Sequence, residues 1–208
     1  MSSAPPVGVS VPTGNAFDKY GSSNPVVRRL MSGFERTLEE LMERAAPASI
    51  LDVGCGEGVL TFQWAQQLGS GKVLGLDLED PKLEAEWASR SRENLEFRTF
   101  AGGSLPVSDD EVDLAAAIEV LEHVPDPART LAEMARVARE HLLVSVPREP
   151  LWRGLNVARG AYLRQRGNTP GHVNHWSKPG FVELLRAYGE VLEARSPFPW
   201  TILLVAIR

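Results

Sequence analysis

Three glycines, two acids and the only cysteine of the chain lie in the segment LDVGCGEGV, between two apolar stretches. Gly54, Gly56 and Gly58 alternate there, and Asp52 precedes them. Glycines leave the backbone N–H groups accessible, so a ligand can touch the main chain at such a turn. The next apolar stretch, KVLGLDL, ends near Asp77, whose carboxylate can accept hydrogen bonds from two ribose hydroxyl groups. The sequence therefore predicts a nucleoside site formed by a glycine turn and two acids.

Two classes of nucleoside compete for this site. A nicotinamide-binding turn has the spacing G-x-G-x-x-G, whereas here the third glycine comes one residue early and Val59 holds the expected position. This spacing, with Asp52 just upstream, favours a positively charged ligand that has no pyrophosphate. An NAD(P)-dependent oxidoreductase is the less favoured alternative.

Three histidines are candidates for acid–base chemistry. His123 follows the apolar stretch VDLAAAI, and His172 and His175 belong to the segment GHVNHW. Histidine is the usual general base for an acceptor hydroxyl group. For each of them the alternative is a hydrogen-bonded structural histidine. The single cysteine fits no Cys/His zinc spacing, so no metal site is expected.

Short apolar runs alternate with helical stretches from residue 48 onward, which predicts an α/β fold with a doubly wound, mostly parallel sheet between two helical layers. Apolar residues at helical spacing predict a cap helix over about 25–45, with Asn24 as its cap and Pro25 at its first position. Residues 147–180 interrupt the alternation and are interpreted as a lid. Residues 1–15, rich in Pro, Ser and Gly, are predicted to form a flexible tail, and 16–208 a single domain.

The composition is that of an ordinary globular domain, with 208 residues, 43% of them hydrophobic. The formal net charge of -5 argues against a nucleic-acid partner, because binding phosphates requires Lys and Arg. The sequence has no apolar run long enough to span a bilayer and no basic, then apolar, amino-terminal signal. A cytoplasmic location is therefore expected, and the oligomeric state is left open.

The motifs LDVGCGEG, GLDL and SLPVSDDEVDLAAAIEVLEHVPDP, in this order, resemble those of the class I S-adenosylmethionine-dependent methyltransferases, small-molecule branch. This resemblance implies a seven-stranded sheet whose seventh strand is antiparallel, and S-adenosyl-L-methionine as the cofactor. It implies that the glycine turn wraps the methionine part of the cofactor, that Asp52 lies near its ammonium and that Asp77 binds the ribose. The other cofactor-binding residues expected from the resemblance are Cys55, Leu78, Ser104, Leu105, Glu119 and, folding over the pocket, Tyr20. Ala101 stands where the family usually has an acid for the adenine amino group.

The acceptor is expected to be a small organic or lipid-like molecule, with oxygen as the first choice of methylated atom and nitrogen or carbon next. EVLEHVPDP, and the layout of the segment after it, resemble ubiquinone-biosynthesis O-methyltransferases. The lid mixes arginines with apolar residues, so it can also touch an anionic membrane surface; the alternative is a solvated lid. A different class of function, a partner or regulator that binds the cofactor without catalysis, remains as the alternative to an enzyme.

Overall fold

Seven strands alternate with α-helices along residues 24–207, the part of the chain that the computed structural model describes. The predicted tail and Tyr20 lie outside the described residues. The strands are β1 (Ser49–Val53), β2 (Lys72–Leu78), β3 (Leu95–Phe100), β4 (Val112–Ile118), β5 (Ala138–Pro147), β6 (Gly189–Arg195) and β7 (Trp200–Ile207). The helices are α1 (Pro25–Ala45), α2 (Val59–Leu68), α3 (Pro81–Trp87), α4 (Pro127–Val137), α5 (Leu151–Ala158) and α6 (Lys178–Leu185).

The strands form one sheet in the order β3-β2-β1-β4-β5-β7-β6. Strands β1 to β5 pair in parallel, and β7 runs antiparallel between β5 and β6. The predicted doubly wound, mostly parallel sheet is confirmed, as is its antiparallel seventh strand. The strand order reverses between β1 and β4, and the ends of strands at such a reversal are where open α/β sheets bind ligands.

Alternate residues of each central strand enter two different cores, because successive side chains of a strand point to opposite faces. Ile50 packs with α1 and α2 on one face, while Leu51 packs with α4 and α6 on the other. Helix α1 begins at the Asn24 side chain, which accepts the Val26 N–H at 2.9 Å, and it places Phe34 4.8 Å from the Trp200 ring. No helix among residues 24–207 is long and apolar enough to cross a membrane.

A carboxylate fixes the three central strands at the end of the sheet opposite the glycine turn. Asp113 accepts hydrogen bonds from the Ala48 N–H at 2.9 Å, the Ser49 hydroxyl at 3.0 Å and the Arg139 guanidinium at 2.5 Å. These bonds hold the pKa of Asp113 below its usual value, against the opposing effect of burial. These bonds connect the amino-terminal ends of β1, β4 and β5, and the candidate site lies at the opposite end, where the carboxyl termini of the parallel strands are found.

Candidate active site

The glycine turn connects β1 to α2 and is packed from two sides. Gly54 has φ +74°, and a Cβ added there would lie 2.6 Å from a methyl group of Val120, in the loop after β4. Gly58 has φ +75°, and its Cβ would lie 2.6 Å from the Phe97 ring on β3. Both positions therefore need glycine for conformation and for space. The turn is held against the β4 loop on one side and against β3 on the other.

Asp77 links the end of β2 to this turn. One carboxylate oxygen accepts the Gly56 N–H at 2.7 Å, and the other accepts the Leu78 N–H at 2.7 Å. Burial raises the pKa of Asp77, while the two amide hydrogen bonds lower it and so offset part of that effect. Each oxygen has a second lone pair, so the carboxylate can accept two more hydrogen bonds from a diol. This geometry fits the ribose-binding role predicted for Asp77.

Asp52 lies at the end of β1 and is 3% exposed. Burial raises its pKa to about 7, the hydrogen bond from the Thr61 hydroxyl at 2.7 Å lowers it, and the charge of Asp77 raises it. A positively charged ligand would stabilise the ionised form of this buried acid, because a nearby cation favours the charged carboxylate. The arrangement fits a ligand that carries an ammonium or sulfonium group.

Two aromatic residues, Trp87 and Phe97, pack beside the glycine turn. Trp87 donates its indole N–H to the Gly56 carbonyl at 2.8 Å and stacks on Phe97, with 5.1 Å between ring centroids. Sequence reasoning missed both residues and Thr61, because their roles arise only when α3, β3 and α2 meet the turn. Cys55 is half-buried within the turn, and burial beside the two acids raises the pKa of its thiol, which stays protonated. Cys55 is therefore a turn residue and not a nucleophile.

Three of the residues predicted to bind the cofactor lie in different environments. Leu78 is half-buried at the end of β2, and Ser104 is exposed in the loop after β3. Leu105 is buried in the core, where its N–H donates to the Glu133 carboxylate at 2.9 Å and its carbonyl accepts from Arg136 at 3.2 Å. These bonds anchor the loop to α4. The cofactor contacts of Leu78, Ser104 and Leu105 remain predictions.

Glu119 follows β4 in a left-handed conformation, with φ +61°. Its carboxylate accepts the Trp200 indole N–H at 2.7 Å and the Ser145 hydroxyl at 3.1 Å. These bonds tie the β4 end to β5 and β7. Glu119 is thus fixed at the predicted place, at the end of β4, and its contact with the methionine part of the cofactor remains a prediction.

Two of the three predicted histidines meet, and the third does not join them. The rings of His123 and His172 lie edge to face with 4.8 Å between centroids, and the His123 Nδ1 lies 3.1 Å from the Gly171 carbonyl. Glu122 is only 2% exposed and belongs to the same cluster. His175 contacts other lid residues instead: its Nε2 lies 3.0 Å from Arg153 and 2.7 Å from Asn168. Burial, and then the Arg153 charge, lower the pKa of His175.

A short clasp joins the lid to the β4 loop. The Glu122 carbonyl accepts the N–H groups of Val173 and Asn174, at 2.8 and 3.1 Å. The Asn174 side chain donates to the carbonyls of Leu121 and Val124, at 3.0 and 2.7 Å. Val120, in the same loop, also packs on Gly54. The β4 loop therefore contacts both the glycine turn and the lid segment that carries His172.

Residues 51–143 match the family model described as "Methyltransferase domain". The ubiquinone biosynthesis O-methyltransferase of Methylococcus capsulatus is 30% identical over 152 residues, which are 64% of this chain and 62% of that protein. The chain spans between 36% and 62% of the length of the first four curated relatives it matches.

Solved structures show the same fold at low sequence identity. The magnesium protoporphyrin IX methyltransferase of Synechocystis, solved with bound S-adenosylhomocysteine, has a TM-score of 0.63 at 18% identity and covers 90% of each chain. A Pyrococcus horikoshii protein has a TM-score of 0.68 at 17% identity, covering 93% of this chain and 97% of its own. Three observations agree with a methyltransferase fold: the matched domain, the strand order and the acids at the ends of β1 and β2. Residues 51–143 are thus similar in sequence to a methyltransferase domain, and the fold of residues 24–207 is that of the S-adenosylmethionine-dependent methyltransferases.

Proposed function

We propose that this protein binds S-adenosyl-L-methionine and transfers its methyl group to a small organic or lipid-like acceptor, with oxygen as the first choice of methylated atom. The observation that carries the proposal is the meeting of Asp77, buried Asp52 and the amides of the glycine turn at the strand reversal. The named relatives support the class of acceptor, since one of them is a ubiquinone biosynthesis O-methyltransferase.

Each part of the site then has a binding task. Asp77 holds the ribose hydroxyls with the lone pairs that the Gly56 and Leu78 amides leave open. Asp52 provides the negative charge for the ammonium, directly or through water. The glycine turn lets the methionine part approach the main chain without meeting a side chain.

The cofactor, when bound, supplies an electrophilic methyl group on a positively charged sulfur. The protein's main task is therefore to align the acceptor and exclude water, since in-line displacement needs little covalent chemistry from side chains. His123 and His172, on the β4 loop and the lid, are the groups we propose to take the proton of an acceptor hydroxyl. His175 remains a weaker candidate, because its ring contacts Arg153 and Asn168.

The lid also presents a surface suited to a lipid-like acceptor. Val157, Leu163 and Val173 are 45%, 59% and 56% exposed, and Arg159, Arg164 and Arg166 are exposed beside them. Apolar side chains with basic neighbours favour an anionic membrane surface. We propose that the lid touches such a surface when it receives its acceptor.

Replacing Asp77 with Asn should weaken binding of S-adenosylhomocysteine roughly 10- to 100-fold, because the charged acceptor for the ribose is lost. Isothermal titration calorimetry measures the change. The matched control is Asp109→Asn, which alters an exposed carboxylate and should bind like the wild type. Equal affinity in both variants, or heat with NAD instead of S-adenosylhomocysteine, would contradict the proposed nucleoside site.

Affinity for S-adenosylhomocysteine should rise with pH up to about 7, because its ammonium favours charged Asp52, whose pKa burial raises to about 7. Below that pH, binding must release a proton, so the affinity should change by up to about tenfold per pH unit. Calorimetry from pH 5.5 to 8 tests this. Methylthioadenosine, which lacks the ammonium, should show a much flatter dependence, as should Asp52→Asn. The same steep rise in Asp52→Asn would assign the effect to another group.

Replacing His123 or His172 with Ala should lower kcat about 100-fold or more if either is the base, with little change in cofactor affinity. A panel of phenols, catechols, quinols and amines supplies the acceptors, and His141→Ala on β5 is the control. Transfer unaffected by replacing His123, His172 and His175 in turn would refute a histidine base. Cofactor binding without transfer to any acceptor would instead favour the non-catalytic partner.

Reversing the charges of Arg159, Arg164 and Arg166 should reduce binding to anionic vesicles by at least about two orders of magnitude, because about 1 kcal/mol of attraction is lost per basic residue and repulsion is added. Flotation with phosphatidylglycerol vesicles at low salt measures it. The control reverses three exposed arginines of α1, Arg28, Arg29 and Arg36. Wild-type protein that stays at the bottom of the gradient removes the membrane contact.

A further inference from the structure

Two imidazoles and a carboxylate converge between the β4 loop and the lid. Glu122, His123 and His172 each offer a ligand atom, and these three atoms lie within 4.8 Å of one another. His172 comes from the lid, so the group is assembled only by the fold. Glu122 is 2% and His172 8% exposed. The attraction between the buried carboxylate and a cation is therefore stronger than it would be in water.

The backbone around these side chains is fixed before any ligand arrives. The His123 N–H donates to the Val120 carbonyl at 2.9 Å, and the His172 N–H donates to the Thr169 carbonyl at 3.1 Å. The Asn168 side chain donates to the His172 carbonyl at 3.1 Å, and the Asn174 clasp holds the lid to the β4 loop. Sites built on such supported segments hold their ligands with less loss of conformational freedom.

The hydrogen bond of His123 selects one ring nitrogen for a ligand. Because the Gly171 carbonyl only accepts, the Nδ1 that lies 3.1 Å from it must carry the proton. The lone pair then resides on Nε2. Metal-binding histidines commonly use this arrangement, with the second nitrogen donating to a backbone carbonyl.

We propose that Glu122, His123 and His172 bind a divalent transition-metal ion, of which Zn²⁺ is the representative. Two imidazoles favour Zn²⁺ and its neighbours over Mg²⁺ or Ca²⁺, which prefer oxygen ligands. Two histidines and one glutamate also make a three-ligand set that leaves a coordination position open.

Binding requires a small movement. Ligand atoms about 2.1 Å from an ion at tetrahedral angles lie about 3.4 Å apart, so a pair at the full 4.8 Å must close by about 1.4 Å. Rotation of the side chains can supply this, because His123 and His172 lie on two separate segments, the β4 loop and the lid. The ion would therefore tie the lid more firmly to the β4 loop.

A role in catalysis rests on the proposed function, although the metal site itself does not. An acceptor hydroxyl at the open position would lose its proton to water as its oxygen becomes metal-bound. That oxygen would then form the new C–O bond as the methyl–sulfur bond breaks. In this arrangement His123 and His172 act as ligands, and the metal takes over the activation that a histidine base would otherwise provide.

The test is direct metal binding by the full chain without an affinity tag and without cofactor. Titration with Zn²⁺ against a chromophoric chelator should give one ion per chain. Co²⁺ should give the visible absorption of a site with nitrogen ligands. His172→Ala and His123→Ala should each weaken Zn²⁺ binding at least 100-fold, while His141→Ala, which alters a histidine on β5, should bind as the wild type does.

Failure of this inference is distinguishable from failure of the proposed function. No stoichiometric Zn²⁺ uptake and no Co²⁺ absorption by the wild-type protein would overturn the metal site, whatever calorimetry with S-adenosylhomocysteine shows. Equal Zn²⁺ affinity in His172→Ala and the wild type would overturn it as well. Melting curves of each variant identify any that fail to fold, and the Co²⁺ measurement on the wild-type chain does not depend on them.

Discussion

The hydrogen bonds between Asp77 and the amides of Gly56 and Leu78 are the interaction on which the site depends. They join the ends of two neighbouring strands, so the glycine turn cannot move without moving β2. A carboxylate that accepts backbone N–H groups is held firmly, because charge-assisted hydrogen bonds are among the stronger ones in proteins. The same oxygens that order the turn retain lone pairs for a ligand, and structure and binding therefore share one side chain.

Two buried acids so close together destabilise the chain without its ligand. Burial raises the pKa of both Asp52 and Asp77, and the charge of Asp77 raises the pKa of Asp52 further. For Asp52 the folded-state pKa lies above its usual value, so its contribution to stability falls as pH rises from about 4 to about 7. A cationic ligand reverses this cost.

The fold was predictable because its signals are local. Alternating apolar runs and helical spacing identified the sheet and its layers, and the order of LDVGCGEG, GLDL and EVLEHV located the acids of β1 and β2. The supports of these acids were not predictable. Thr61, Trp87 and Phe97 act through contacts between elements far apart in the chain, and no spacing in the sequence records which ring stacks under which turn.

The positions of the three candidate histidines relative to one another were also not predictable from the sequence. His123, His172 and His175 were selected alike by residue type, yet the fold separates them, because hydrogen bonds from Val173 and Asn174 hold the lid against the β4 loop. With the lid held there, His172 faces His123 beside buried Glu122, while His175, three residues along, contacts Arg153. Asn174, which is not a member of the histidine cluster, thus helps to decide which histidines lie together. The position of the histidine cluster follows from that clasp, just as the position of the glycine turn follows from Asp77.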